Sequence, residues 1–193
     1  MKTRIVNDVY PTDAALTSAL LDHLDFPLNT TILEPCYGNG DMAKVLRRHP
    51  NVIRVYGTDI NGFSNVSWFP HKDATTEIYW DEFTAPTDID WVVTNPPFNC
   101  AEKILPLAWD KALEGVAMLL RLSYLEPTKG RGQWLQDHAD QLRLVMPIGQ
   151  PRPSFREDGG TDTVTTCWFV WDKSWSWAEK DIPCPYQFLF NWK

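Results

Sequence analysis

Two runs of residues carry types and spacings that could do chemistry. The first is Asn95-Pro96-Pro97-Phe98, directly after the apolar run Trp91-Val92-Val93-Thr94. Consecutive prolines fix φ and remove two amide donors, so the backbone is stiff and its carbonyls can accept hydrogen bonds from a ligand. The Asn95 side chain adds an acceptor, and Phe98 a flat apolar face. Together these parts can hold a planar amine, with two acceptors orienting its NH2 group and the ring stacked beneath. An ordinary proline-terminated strand with a core Phe would read the same way.

The second run is Leu33-Glu34-Pro35-Cys36-Tyr37-Gly38-Asn39-Gly40. Gly38 and Gly40 permit a tight turn that brings backbone amides close to a ligand. Asp59 follows Gly40 by 19 residues, where an acidic side chain can accept both ribose hydroxyls of an adenosine. With Ala43 in third place, the same turn also admits a dinucleotide. Asp73, in Lys72-Asp73-Ala74, can accept from an adenine amino group or serve as a loop or capping residue.

The elements that must position these residues alternate along the chain. Thr12 or Asp13 caps a helix running to Leu24, with Leu16, Leu20, Leu21 and Leu24 on one face. Thr30–Glu34 and Val52–Tyr56 read as strands on either side of a helix over Asp41–Arg48. A poorly patterned third strand region ends at Lys72-Asp73-Ala74. Trp91–Thr94 is the next strand, followed by a helix over Ala101–Leu113, a strand over Val116–Leu120 and a helix over Gln133–Gln141. Leu142–Val145 and Thr163–Trp171 close the series as strands. Alternation of strands and helices, with apolar strands, predicts an α/β fold with a mostly parallel sheet covered on both faces. In such sheets ligands bind at the carboxyl ends of the strands, and both runs lie at such ends.

Glu34-Pro35-x-x-Gly38-x-Gly40, Asp59, Asp73 and Asn95-Pro96-Pro97-Phe98, in that order, resemble the class I S-adenosylmethionine-dependent methyltransferases. Among these the match is nearest to the adenine-specific DNA methyltransferases of small, phage-like type, over about residues 10–125. The resemblance implies a Rossmann-like sheet of seven strands, the last of them antiparallel. It implies S-adenosylmethionine as cofactor, with Tyr10 and Thr12 near the methionine carboxylate. Glu34, Pro35 and the turn from Cys36 through Gly38 to Gly40 would hold the methionine amino end. Asp59 and Ile60 would take the ribose, and Asp73 and Ala74 the adenine. Asn95 would border both cofactor and target, and Asn95, Pro96, Pro97 and Phe98 would hold the target amine. Arg121, Arg152, Phe155 and Arg156 are the expected substrate contacts, in a positive rim with Lys129 and Arg131.

Composition bounds this reading. The chain has 193 residues, 44% hydrophobic and 22% charged, which predicts one globular domain over 1–193, with no separate target-recognition domain. Net charge is −7, awkward for a nucleic-acid partner. The segment from Arg121 to Arg156 nevertheless carries +3, leaving −10 elsewhere. DNA is the expected partner, and RNA bases or protein glutamine amides are the alternatives, together with a non-catalytic cofactor-binding module. A nicotinamide dehydrogenase would explain the glycine turn but not the Asn-Pro-Pro-Phe run. The four cysteines and four histidines show no ligand spacing, so no metal is expected. No apolar run approaches the roughly 18 residues of a membrane span, and a cytoplasmic location is expected. Trp175 and Trp177 form either a partner surface or part of the core.

Overall fold

The central strands of the sheet are buried along nearly their whole length and must be covered on both faces, whereas the two edge strands are partly exposed. The computed structural model describes residues 11–69, 71–83, 88–149, 153 and 164–186. The strands are β1 (Thr30–Glu34), β2 (Val52–Gly57), β3 (Trp91–Thr94), β4 (Gly115–Arg121), β5 (Leu142–Pro147) and β6 (Thr166–Asp172). The helices are α1 (Ala14–Leu21), α2 (Asp41–Leu46), α3 (Glu77–Glu82), α4 (Ala101–Lys111) and α5 (Arg131–Asp137). The strands form one sheet in the order β2-β1-β3-β4-β6-β5. β2, β1, β3 and β4 are mutually parallel, and β6 runs antiparallel to β4 and β5. The expected antiparallel last strand is present.

Two cores flank the sheet. One joins Leu20, Leu24, Met42, Leu46 and Trp168 beneath α1 and α2; the other joins Tyr79, Phe83, Ile104, Leu105, Leu135 and Trp171 beneath α3, α4 and α5. Helices therefore cover both faces. α1 starts where Asp13 accepts from the Ala15 amide (2.8 Å), as an N-cap should. It stops at Leu21 rather than Leu24, although Leu24 is still buried. Trp177 donates to the Leu142 carbonyl (3.1 Å), and Trp175 lies under the Arg143 and Lys180 cations, so these two tryptophans pack on their own chain.

Among the described residues the sheet has six strands where seven were expected. No strand forms over the described residues between β2 and α3, and the outer edge of β2 shows why. Asn65 donates from Nδ2 to the Val55 carbonyl (2.8 Å) and accepts at Oδ1 from the Gly57 amide (2.6 Å). The Ser64 hydroxyl and the Asn65 amide both donate to the Gly57 carbonyl (2.9 and 3.1 Å), and Arg47 reaches the Val55 carbonyl. Side chains thus occupy the edge groups a further strand would need, which also blunts the edge against pairing. Val66, Phe69 and Ala74 are buried without strand geometry. Phe69 packs edge-on against Tyr79 and Phe83. The helix α3 that follows carried no clear sequence pattern.

Candidate active site

The parallel strands β1, β2 and β3 end on the same side, and the chemistry-bearing residues converge there. After β1 the chain turns at Gly38 (φ 47°) and Gly40 (φ 74°), both in the left-handed region that favours glycine. Gly40 is the N-cap of α2. The turn is tied to the end of β2, because the Tyr37 amide donates to the Thr58 carbonyl (2.9 Å) and the Gly38 amide to Asp59 Oδ2 (2.9 Å). Asp59 Oδ1 accepts from the amide and the side-chain Nδ2 of Asn61 (2.8 and 2.9 Å). Asp59 is only 6% exposed, so its carboxylate is held in one place by three donors. Oδ1 already accepts two hydrogen bonds, and Oδ2, with one, has room for another. Ile60 beside it is 56% exposed and offers an apolar face.

One cleft is lined by Pro35, Cys36, Gly38, Asp59, Ile60 and Asn61, then by Lys72, Asp73, Ala74 and Thr75, and across from them by Asn95, Pro97, Cys100 and Ile104. Eight of the predicted cofactor residues therefore line one cleft: Pro35, Cys36, Gly38, Asp59, Ile60, Asp73, Ala74 and Asn95. Asp73 Oδ1 accepts from the amide and hydroxyl of Thr75 (2.9 and 2.7 Å). It thus caps a turn while lining the cleft, so both sequence readings of this residue remain in play. Gly40 stands behind the cleft at the start of α2. Tyr10 lies outside the described residues.

Glu34 is 2% exposed and sits behind the turn, not on the cleft wall. Burial holds its carboxyl well above the usual carboxylate range, opposed by the nearby Arg47 cation and by a hydrogen bond from the Ala43 amide; Oε2 has no partner. Its place is under α2, supporting the turn. Burial likewise pushes the Cys36 thiol far up, so Cys36 acts as a neutral wall and not as a nucleophile.

On the opposite wall, Asn95 follows β3 and donates from Nδ2 to Thr12 Oγ1 (3.1 Å). The Pro97 carbonyl accepts from the Cys100 amide (2.8 Å), closing the turn into α4. Pro96 is buried between them. Phe98 is half-buried, and the Arg121 guanidinium lies 4.6 Å from its ring centroid, a cation–π contact. Arg131 folds onto Tyr124 (4.7 Å) and donates to the Glu126 carbonyl. Arg152, Phe155 and Arg156 lie outside the described residues.

The sequence reading missed Asn61, Thr75, Cys100 and Ile104, gave Lys72 no role, and did not pair Thr12 with Asn95. Asn61 had a local signal, since an Asn two residues after an Asp commonly bonds to it. The Thr12–Asn95 contact spans 83 residues and had none. Among the described residues no group of three metal-ligating side chains occurs, and no helix is long and apolar enough to cross a membrane.

No protein-family model and no curated protein matches the sequence. Solved structures do. A methyltransferase subunit of a type I restriction-modification system from Streptococcus thermophilus aligns with TM-score 0.59 at 15% identity, over 89% of this chain and 46% of that one. A protein assigned as an RNA methyltransferase from Pyrococcus horikoshii aligns with TM-score 0.58 at 14% identity, over 89% and 90%. The enzyme TrmK from M. capricolum, solved with S-adenosyl-homocysteine, aligns with TM-score 0.55 at 11% identity, over 87% and 70%. The chain spans less than half the length of the restriction-modification subunit. These likenesses show a shared Rossmann-like α/β fold.

Proposed function

We propose that this chain is an S-adenosylmethionine-dependent methyltransferase acting on an exocyclic amine, that of adenine (N6) in DNA. The observation that carries the reading is the sharing of one cleft by Asp59, Ile60 and Asp73 on one wall and Asn95 on the other. The donor set suits the cofactor. Asp59 Oδ2 has room for a ribose hydroxyl, Ile60 gives a planar ring an apolar face, and the turn at Gly38 lets backbone approach closely. Bound there, S-adenosylmethionine supplies an already activated methyl group.

The chain's own residues then have a limited task. They must hold an amine in line and exclude water. An adenine amine is a poor nucleophile, because its lone pair is delocalised into the ring. Hydrogen bonds from the NH2 to Asn95 Oδ1 and the Pro96 carbonyl favour a more pyramidal nitrogen as charge develops. Phe98, with Arg121 beside it, offers a stacking surface that offsets part of the cost of taking a base out of a duplex. Arg152 and Arg156, with Phe155 between them, are the proposed phosphate and gap-filling contacts, and a cytoplasmic location is proposed.

Support for a nucleic-acid substrate comes from the fold, shared with a methyltransferase subunit of a type I restriction-modification system and with a protein assigned as an RNA methyltransferase. The net charge of −7 favours a second reading, methylation of a protein glutamine amide. Incubation with methyl-labelled cofactor and separate pools of DNA, RNA and protein discriminates them: label should enter DNA adenine. A salt titration of DNA binding adds a second arm. The wild-type slope should be about 3–4 in magnitude, and R152A/R156A should lower it by roughly two. Label in protein alone, with no measurable salt slope, would leave the glutamine reading in place.

A further inference from the structure

We propose that Thr12 is a positioning residue that acts through Asn95, holding its carboxamide with the carbonyl end turned to the target amine. The inference rests on the amine-clamp reading above. A carboxamide has two ends of nearly equal shape and opposite polarity. Only the Oδ1 end can accept from an NH2 group; the Nδ2 end would set donor against donor. Asn95 Nδ2 donates to Thr12 Oγ1 at 3.1 Å, so the donor end is occupied and Oδ1 is left to accept.

Thr12 is suited to this task by where it sits. It is 8% exposed, which keeps water from competing for the bond. Asp13 caps α1 and fixes the adjacent backbone, so the hydroxyl is anchored by a secondary-structure boundary and not by a mobile loop. Thr12 is absent from the cofactor cleft wall, whereas Asn95 is on it. An amide that donates at one end is polarised toward a better acceptor at the other. Thr12 therefore contributes to rate through Asn95, in contrast to the carboxylate-binding role that the sequence suggested for it.

Thr12→Val keeps the shape and removes the acceptor. It should lower kcat about tenfold at saturating cofactor while the Kd for S-adenosylmethionine stays within twofold. Thr12→Ser should restore most of the rate. In an Asn95→Ala background, Thr12→Val should lower kcat no further, since the group it acts through is gone. A rise in cofactor Kd with kcat unchanged would return Thr12 to the cofactor site, and additive losses in the double variant would show that it acts elsewhere; either overturns the proposal. If the wild type methylates no nucleic-acid amine, the amine-clamp reading fails on its own. The bond is then read from the Asn95 side-chain NH2 resonances, which should shift in Thr12→Val, and identical resonances in both proteins would overturn it.

Discussion

The two walls of the cleft are built differently. The wall from Pro35 to Asp59 is held by short polar contacts between neighbouring strand ends. Gly38 and Asn61 fix the Asp59 carboxylate, Tyr37 is tied to Thr58, and two glycines take left-handed φ so that the turn can close. The wall around Asn95 and Phe98 takes its order from remote partners, Thr12 on one side and Arg121 on the other. The first wall is fixed before a ligand arrives. The second is oriented by groups at the margin of the cleft. In the proposed function binding falls to the first wall and chemistry to the second, and single substitutions should separate them.

The largest effect is expected at Asn95. Asn95→Ala should lower methyl transfer by on the order of a hundredfold or more with cofactor affinity kept, because the lost acceptor matters mainly as the nitrogen reacts. Single-turnover rates measured beside cofactor Kd show this split. Near wild-type turnover would remove the clamp from the mechanism. Asp59→Ala should do the converse, weakening S-adenosylmethionine binding by about 2–3 kcal/mol, the scale of lost charge-assisted hydrogen bonds. Asn61 and the Gly38 amide lose their anchor in that variant, so Asn61→Ala should reproduce part of the loss. An Asn61 variant with unchanged affinity would show that Asp59 needs no such bracing.

A third substitution tests the packing behind the binding wall. A Cβ at Gly57 would stand 1.8 Å from the Tyr37 ring. Gly57→Ala should cost about 1–3 kcal/mol of stability through overpacking, and adding Tyr37→Ala should return part of it. Denaturant titration of the single and double variants decides, and an unaffected Gly57→Ala would mean that Tyr37 moves aside freely. The smallest functional effect is expected at Glu34. Its proton is held more tightly in the folded than in the unfolded chain, because burial penalises the charged form. The stability it contributes is present below the ordinary glutamate range and is lost as pH rises toward the folded value. Glu34→Gln should therefore flatten the fall in Tm with rising pH and leave cofactor affinity near wild type. A pH profile identical to wild type would contradict this.

How far the sequence led follows the same division. Contacts between residues close in the chain, or at successive strand ends, left signals: glycine spacing for the turn, an acid after the second strand, prolines ending the third. Apolar runs marked all six strands. The missing seventh strand was not legible, because the groups that occupy its place are single side chains, Asn65 and Ser64, whose bonds to Gly57 and Val55 no periodicity announces. Glu34 shows the same limit from the other side. Its position in the motif suggested a ligand contact, and no pattern announced that its side chain is buried and accepts from the Ala43 amide of α2. Arg131, equally, is one of several basic residues in sequence, and only the fold shows that Tyr124 and Glu126 hold it.

The claim on which all of this rests is that the cleft beside Asn95 takes S-adenosylmethionine. Calorimetric titration of the wild-type protein with S-adenosylmethionine and, separately, with NAD tests it without any assumption about the substrate. The account predicts one site, saturable by S-adenosylmethionine, with NAD bound more weakly or not at all. Tighter binding of NAD, or no heat with S-adenosylmethionine, would contradict it and remove the methyltransferase reading.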